Sequence, residues 1–264
     1  MRALVLTTTV LLLACEAAPA QSALADRILG VKDGTVRLEF SVKEGICGDG
    51  ESFIRDRTRG ENNYISFGSV GDSRNWKYRP CEPGPARVAF LKSGGMTTKV
   101  RLFVGGDWGP AGSDVVDLGR VSGPVAAKAL LAVAARERRA EQAIFGAVIA
   151  DSAVVWPDLL AIAKNETLYK DTREKAVFWL SQAAGDAATK GLTDLAEDEA
   201  EDRDVRDQAV FALSQLPHDQ GIPVLMRLAR SNKDPKVRRK ALFWLGQSDD
   251  PRVLALFEEI LTKP

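Results

Sequence analysis

The chain has 264 residues, and its 36 basic and 36 acidic side chains cancel. That length suits two modest domains, and the neutrality excludes a global field that would draw the protein to nucleic acid or to an anionic membrane. A single histidine excludes a His-Glu-x-x-His zinc helix and any site built on paired histidines.

The first twenty residues read as a secretory leader. Met1-Arg2 is a short basic start, Ala3 to Ala14 is almost wholly apolar or threonine, and Ala18-Pro19-Ala20 precedes Gln21 as an A-x-A cleavage signal. The apolar run is too short to span a bilayer comfortably, and no other segment approaches that length. Leu12-Leu13-Ala14-Cys15 also resembles the lipobox of bacterial lipoproteins, in which Cys15 would carry a lipid anchor. The expectation is an exported protein, periplasmic or secreted, or alternatively an outer-envelope lipoprotein.

Export gives the cysteines meaning. Of the three, Cys15 leaves with the leader or carries lipid, so Cys47 and Cys81 remain as a pair. In an oxidising compartment a lone pair becomes a bridge. Closing that loop restricts the unfolded chain by roughly 3–4 kcal/mol in the loop-entropy model. A redox or metal role is disfavoured because the two do not form a C-x-x-C motif.

Residues 21–121 read as strands. Val36, Leu38, Phe40 and Val42 alternate with polar residues, a period of two that puts the apolar set on one sheet face. Val100, Leu102 and Val104 repeat the pattern, with Arg101 and Phe103 on the other face. Shorter candidates are Phe53-Ile54, Tyr64 to Phe67, Arg87 to Leu91 and Val115 to Leu118. Turn chemistry separates them: Gly48-Asp49-Gly50, Gly71-Asp72-Ser73, Glu82-Pro83-Gly84-Pro85, Ser93-Gly94-Gly95 and Gly105-Gly106-Asp107. Many short strands with such turns predict a small, disulfide-closed antiparallel β-domain, a sandwich or barrel. Strand order is not readable.

Residues 122–264 change to helix formers. Ser122 is a candidate N-cap and Pro124 sits in the first turn. Val125 to Arg138 occupies the place of a second helix whose first helix is missing. Together with the β-domain it would cap a stack of helical units.

Those units are copies of one another. Ala143, Ala176, Ala209 and Ala241 recur at steps of 33, 33 and 32 residues, within Lys175-Ala-Val-Phe-Trp-Leu-Ser-Gln182, Gln208-Ala-Val-Phe-Ala-Leu-Ser-Gln215 and Lys240-Ala-Leu-Phe-Trp-Leu-Gly-Gln247. A fixed period of that size predicts stacked helical pairs sharing one core. Each anchor alanine has Ala147, Leu180, Leu213 or Leu245 four places on, forming one helix face. The matching second-helix stripe is Leu159/Ile162, Leu192/Leu195, Leu225/Leu228 and Phe257/Ile260. Asp202-Arg203-Asp204-Val205-Arg206 and Asp234-Pro235-Lys236-Val237-Arg238 mark helix entries. The fold class is therefore mixed: a β-domain, then an all-α solenoid of about four helical pairs plus an N-terminal half-repeat.

The segment Asp234-Pro235-Lys236-Val237-Arg238-Arg239-Lys240-Ala241-Leu242-Phe243-Trp244-Leu245 resembles the HEAT repeat, and the unit length is similar to the HEAT-like repeats also seen in phycobilin lyases. The resemblance spans roughly Arg138 to Leu261. It implies an α-solenoid whose second helices line a concave surface for proteins or ligands, with no common enzymatic activity. The HEAT-like hydroxylases hold metal with paired histidine and glutamate ligands, whereas this chain has only His218, in an inter-helix loop. HEAT-like DNA glycosylases need a basic groove, and bilin lyases a cytoplasmic setting.

Searches for chemistry find no nucleophile elbow and no phosphate loop. Gly105 to Gly112 is glycine-dense, but Pro110 and the lack of a following helix fit a surface loop. The carboxylates Glu197 to Asp202 lack EF-hand spacing and read as a solvated loop. No catalytic, cofactor or metal residue is assigned, and no cofactor is expected.

Three repeated features could bind a partner. Lys164, Asp194, Glu197, Arg227, Arg230 and Glu259 fall at equivalent second-helix positions, where the charge sign alternates between repeats. They form either inter-repeat ion pairs or a charged concave strip. Gln182, Gln215 and Gln247 form an amide ladder that would cap helix ends or meet an extended peptide. Phe145, Phe178, Phe211 and Phe243 read as core. Trp179 and Trp244 flank Ala212, leaving either a shallow recess or inter-repeat packing. The expected function is a non-enzymatic protein-binding scaffold of the bacterial periplasm or cell envelope, its partner an unknown protein. The alternative is a small-ligand-binding or enzyme-accessory protein using the recess near Trp179 and Trp244.

Overall fold

The computed structural model describes residues 17–51, 53–57, 64–66, 81–181, 186–216 and 220–262. Within these, only the backbone is described for 17–22, 64–66 and 186–188. Most of the leader with Cys15, the turn 71–73, Gln182 and His218 lie outside the described residues.

A helix, α1 (Ala17–Gly30), precedes the strands, where strands alone had been expected from residue 21. Leu24 and Ile28 stand four apart with Ala25 beside them, and all three are buried, giving a helical apolar face. That face meets α2 (Gly123–Arg136), and Arg136 reaches Asp26 at 2.7 Å. The half-repeat helix is thus partnered, by a helix from the other end of the β-region.

The strands are β1 (Gly34–Phe40), β2 (Ile46–Gly48), β3 (Phe53–Asp56), β4 (Tyr64–Ser66), β5 (Ala86–Ser93), β6 (Met96–Val104) and β7 (Val115–Arg120). They form a four-stranded sheet in the order β6-β5-β1-β7 and a three-stranded sheet in the order β2-β3-β4. All pairings are antiparallel except β1 with β7, which is parallel. Gly94 and Gly95, at φ 58° and 78°, supply the two left-handed residues a tight β5–β6 hairpin requires. The strand β2 falls where turn chemistry was expected to begin. Its Cys47 is bridged to Cys81 with a Cα–Cα separation of 5.2 Å, and Gly48 pairs with Glu82 beside it.

Val36, Leu38, Phe40, Val88, Phe90, Val100, Leu102 and Val104 are all buried on the large sheet. This apolar face packs on helices, as one-sided amphipathic strands require. A Cβ on Gly146 would sit 3.1 Å from Leu130 of α2 and 3.7 Å from Leu102 and Val88, so Gly146 lets α3 (Ala143–Ile149) lie close to α2 and the sheet. The two parts are also joined through backbone and charge. Val42 bridges Ala150, Asp151 N–H donates to Ser41 O at 2.8 Å, and Lys92, its side chain sealed from solvent, meets Glu137 at 2.5 Å. One hydrophobic cluster runs from Leu24 through the sheet to Leu256.

Beyond α3 come α4 (Trp156–Lys164), α5 (Lys170–Leu180), α6 (Asp186–Glu197), α7 (Arg203–Ser214), α8 (Ile222–Ser231), α9 (Pro235–Leu245) and α10 (Pro251–Thr262). The eight anchor-face residues from Ala143 to Leu245 are all buried. The Asp202 and Asp234 side chains accept from the N–H groups of Asp204 and Lys236 at 2.9 and 2.8 Å, capping α7 and α9 as their spacing predicts. Ser122 sits at the N-cap of α2 but makes no side-chain cap bond.

Two expectations fail at the last unit. Phe257 and Ile260 were to face the core. Phe257 is half-buried and packs against it, but Ile260 is 41% exposed, and Val253 and Leu256 are the fully buried residues of α10. The α9–α10 loop is two residues shorter than the α7–α8 loop, and Ile260 lies on the side of α10 that no described helix covers. Of the four phenylalanines expected in the core, Phe145 is buried, Phe178 and Phe211 are half-buried, and Phe243 is 57% exposed.

Candidate functional site on the repeat surface

Three ladders run across the repeats. The first lies on the second helices. Lys164 meets Asp194 at 3.6 Å, Glu197 meets Arg227 at 2.9 Å, and Arg230 meets Glu259 at 2.8 Å. All six candidate charges therefore have a partner in the neighbouring repeat. Each pair is substantially exposed, so it contributes about 0–1 kcal/mol and mainly fixes stacking register. Sequence reasoning missed the first rung, Lys128 of α2 to Asp158 of α4 at 2.6 Å. The spacing between its residues equals that of Lys164–Asp194 and Glu197–Arg227, which was the available signal. This rung places α2 in line with the second helices.

The second ladder was not anticipated. Arg173, Arg206 and Arg238 recur at the repeat step within the first helices. Arg173 meets Glu201 at 2.6 Å, with side chains only 5% and 3% exposed, and its Nε donates to Ala163 O at the end of α4 at 2.9 Å. Arg206 meets Asp234 at 3.0 Å. In both, the carboxylate stands at the entry to the next first helix, 28 positions on. The Asp234 carboxyl is held below its ordinary value, first by the Lys236 N–H and then by Arg206. Arg238 instead donates to the Asn232 and Lys233 carbonyls at 2.7 and 3.0 Å.

The third ladder is aromatic. Phe145 stacks on Trp179 with centroids 4.6 Å apart, Trp179 meets Phe178 edge-on at 4.9 Å, and Phe178 lies 6.4 Å from Phe211. Phe211 then contacts Trp244 at 4.8 Å, and Trp244 meets Phe243 at 5.0 Å. Where Ala212 replaces an indole, the two phenylalanines face each other directly, and Ala212 is fully buried. Trp179 is 7% exposed. Trp244 borders a groove of about 500 Å³ that also exposes Gln215, Gln247 and Asp249, and Trp179 is not among its walls. The two indoles are thus placed in different surroundings, and two members of the amide ladder share the Trp244 groove.

The outer face of the large sheet carries a further cluster. Trp108 lies between the guanidinium groups of Arg87 and Arg37, at 5.0 and 5.2 Å. Arg87 donates to the carbonyls of Gly105, Asp107 and Gly50 at 3.0, 2.7 and 2.6 Å. Burial pushes its guanidinium below the ordinary value, against Glu39 and Asp107, which act the other way. These bonds pin the Gly-rich loop against the loop that follows β2. Every such donor is spent on backbone, which makes Arg87 a structural tie.

Among the described residues no helix is long and apolar enough to cross a membrane. Residues 189–264 match the family model for HEAT repeats. A comparison with curated proteins returned no match. The capped first helices, the repeat step and that match agree: the C-terminal helical region is similar to a HEAT-like repeat array, with the family match confined to residues 189–264.

Proposed function

We propose that the protein is a non-enzymatic scaffold that binds another protein through its HEAT-like repeat surface, in the bacterial periplasm or cell envelope. The observation that carries this reading is the continuous stack of helical pairs, an architecture that offers an extended surface and whose family is associated with protein interaction. The β-region acts as the N-terminal cap, its apolar sheet face covering α2 and α3. The leader and the Cys47–Cys81 bridge favour an oxidising compartment. Cys15 is the site of a lipid anchor if the lipobox is used. The test is in-cell crosslinking of the intact protein followed by purification and mass spectrometry. One dominant crosslinked protein is the expected result, and recovery of the uncrosslinked chain alone overturns the scaffold reading.

A second reading is favoured by one observation, the groove beside Trp244, whose amide and carboxylate walls suit a small polar ligand. Thermal stabilisation by a small molecule, with no protein crosslink, would select it.

A further inference from the structure

The outer side of the last described repeat shows, by internal precedent, what would cover it. In each earlier unit the first helix of the following unit lies over an apolar strip. Val177 and Ala196 are fully buried by that means, as are Val210 and, at 6% exposure, Ala229. The equivalent residues of the last unit are Leu242, half-buried, and Leu261, 84% exposed, while Ile260, the counterpart of the buried Leu228, is 41% exposed. Between Leu242 and Ile260 runs a groove of about 660 Å³ that also exposes Arg238 and Arg239, with Glu259 on its wall already paired to Arg230 at 2.8 Å, and no described element fills it. Exposed apolar side chains gather around this end: Phe243, Leu254 and Leu261 are 57%, 64% and 84% exposed. Among the described residues Arg238 meets no carboxylate of the kind that Arg173 and Arg206 meet, and Phe243 no onward ring of the kind that Phe145 and Phe211 meet.

We propose that this groove docks an amphipathic helix of a partner protein, one that carries a carboxylate at its N-terminus to pair with Arg238 and an aliphatic face to cover Leu242 and Ile260. The preference for an acidic entry rests on charge as well as precedent. Lys236, Arg238 and Arg239 stand together at the start of α9, whereas Lys233 and Lys240 already meet Glu199 and Asp207 at 3.3 and 3.6 Å. An acidic helix terminus is attracted to that field, and the carboxylate also suits the helix's own dipole. The inference rests on the scaffold reading and narrows it to one face and one partner chemistry.

The test uses a fluorescein-labelled peptide with the sequence of residues 201–216, stapled as a helix on its outward side. In the chain this segment brings Glu201 to Arg173 at 2.6 Å. The expected result is saturable binding to the intact protein, weakened by roughly tenfold or more in Arg238→Glu and restored towards that variant when Glu201 and Asp202 of the peptide become lysines. Because Arg238 also holds the α8–α9 turn, Ile260→Glu at an exposed position serves as a second variant and is expected to weaken binding similarly without lowering the melting temperature. Absence of saturable binding, or binding indifferent to both variants, overturns the proposal. So does concentration-dependent self-association abolished by Ile260→Glu, which would make a second copy the occupant. If the peptide fails while in-cell crosslinking still captures a protein, only the docking face is wrong and the scaffold reading stands.

Discussion

The Arg173 guanidinium and the Glu201 carboxylate approach to 2.6 Å with both side chains nearly sealed from solvent, and they clamp one repeat to the next. The carboxylate also accepts the Asp202 N–H at 2.6 Å, so the pair holds the start of α7 as well. Removing one member leaves a buried charge alone. Glu201→Ala is expected to lower stability by about 3–5 kcal/mol, whereas replacing both residues with methionine costs far less. Urea unfolding of the two variants checks this, and equal losses would contradict the clamp.

The aromatic ladder predicts opposite responses at its two ends. Trp179→Ala removes a buried ring stacked on Phe145 and is expected to cost about 3–5 kcal/mol. Phe243→Ser, at the exposed end, is expected to stay within about 0.5 kcal/mol. Fluorescence adds a second reading: the difference spectrum between wild type and Trp179→Ala should be that of a blue-shifted, buried indole.

At the junction between sheet and helices, a Cβ on Gly123 would stand 2.1 Å from Asp151 O. The clash is with backbone that is itself hydrogen-bonded to Ser41. Gly123→Ala should therefore destabilise by about 1–3 kcal/mol, and it should loosen the α2 start and the 150–152 turn in hydrogen exchange. Gly30→Ala, which meets nothing within 4 Å, is the control and should be neutral.

Reduction of Cys47–Cys81 frees a segment with a sequence separation of 34. The expected loss is about 3–4 kcal/mol in the loop-entropy model. Hydrogen exchange should show the small sheet opening first, while α5 to α10 keep their protection. Uniform loss of protection would mean that the two regions unfold together.

Acid weakens the helix entries with a definite sign. The Asp250 carboxyl is lowered to about 2, first by the Arg252 side chain and then by the Arg252 N–H, and Asp234 is lowered too. Groups depressed on folding stabilise fully above their unfolded values near 4 and lose that contribution as pH falls through the folded value. Stability should therefore decline between about pH 4 and pH 2, and Asp250→Asn should flatten that part of the curve.

The sequence made the repeats legible because each unit buries the same anchor face, and Ala176/Leu180 or Ala209/Leu213 cannot vary without losing the stack. Asp202 and Asp234 were readable for the same local reason, since a cap is set by its own next few residues. Strand spans in the large sheet followed from period-two burial at Val36 to Phe40 and Val100 to Val104. What escaped was non-local. The partnering of α1 with α2, and of β7 with β1, joins segments about eighty or more residues apart, and no pattern within either segment encodes the other. The Arg173–Glu201 and Lys128–Asp158 rungs were hidden because a pairing shows in sequence only when both members are tracked across the repeat step. The Phe257/Ile260 stripe held only at Phe257, because in every earlier unit a neighbouring repeat completes the burial, and no described helix does so for Ile260.

The parallel pairing of β7 with β1 carries a consequence for how the chain acquires its shape. Strand β1 has β5 on one side and β7 on the other, so its second edge stays bare until residue 120 is in place. Non-local pairing of this kind is slow, and a bare edge invites the wrong neighbour. A full-length variant with Val115 to Arg120 replaced by a flexible glycine-serine stretch should therefore aggregate, even though β5, β6 and the helices that cover the sheet are all present in it.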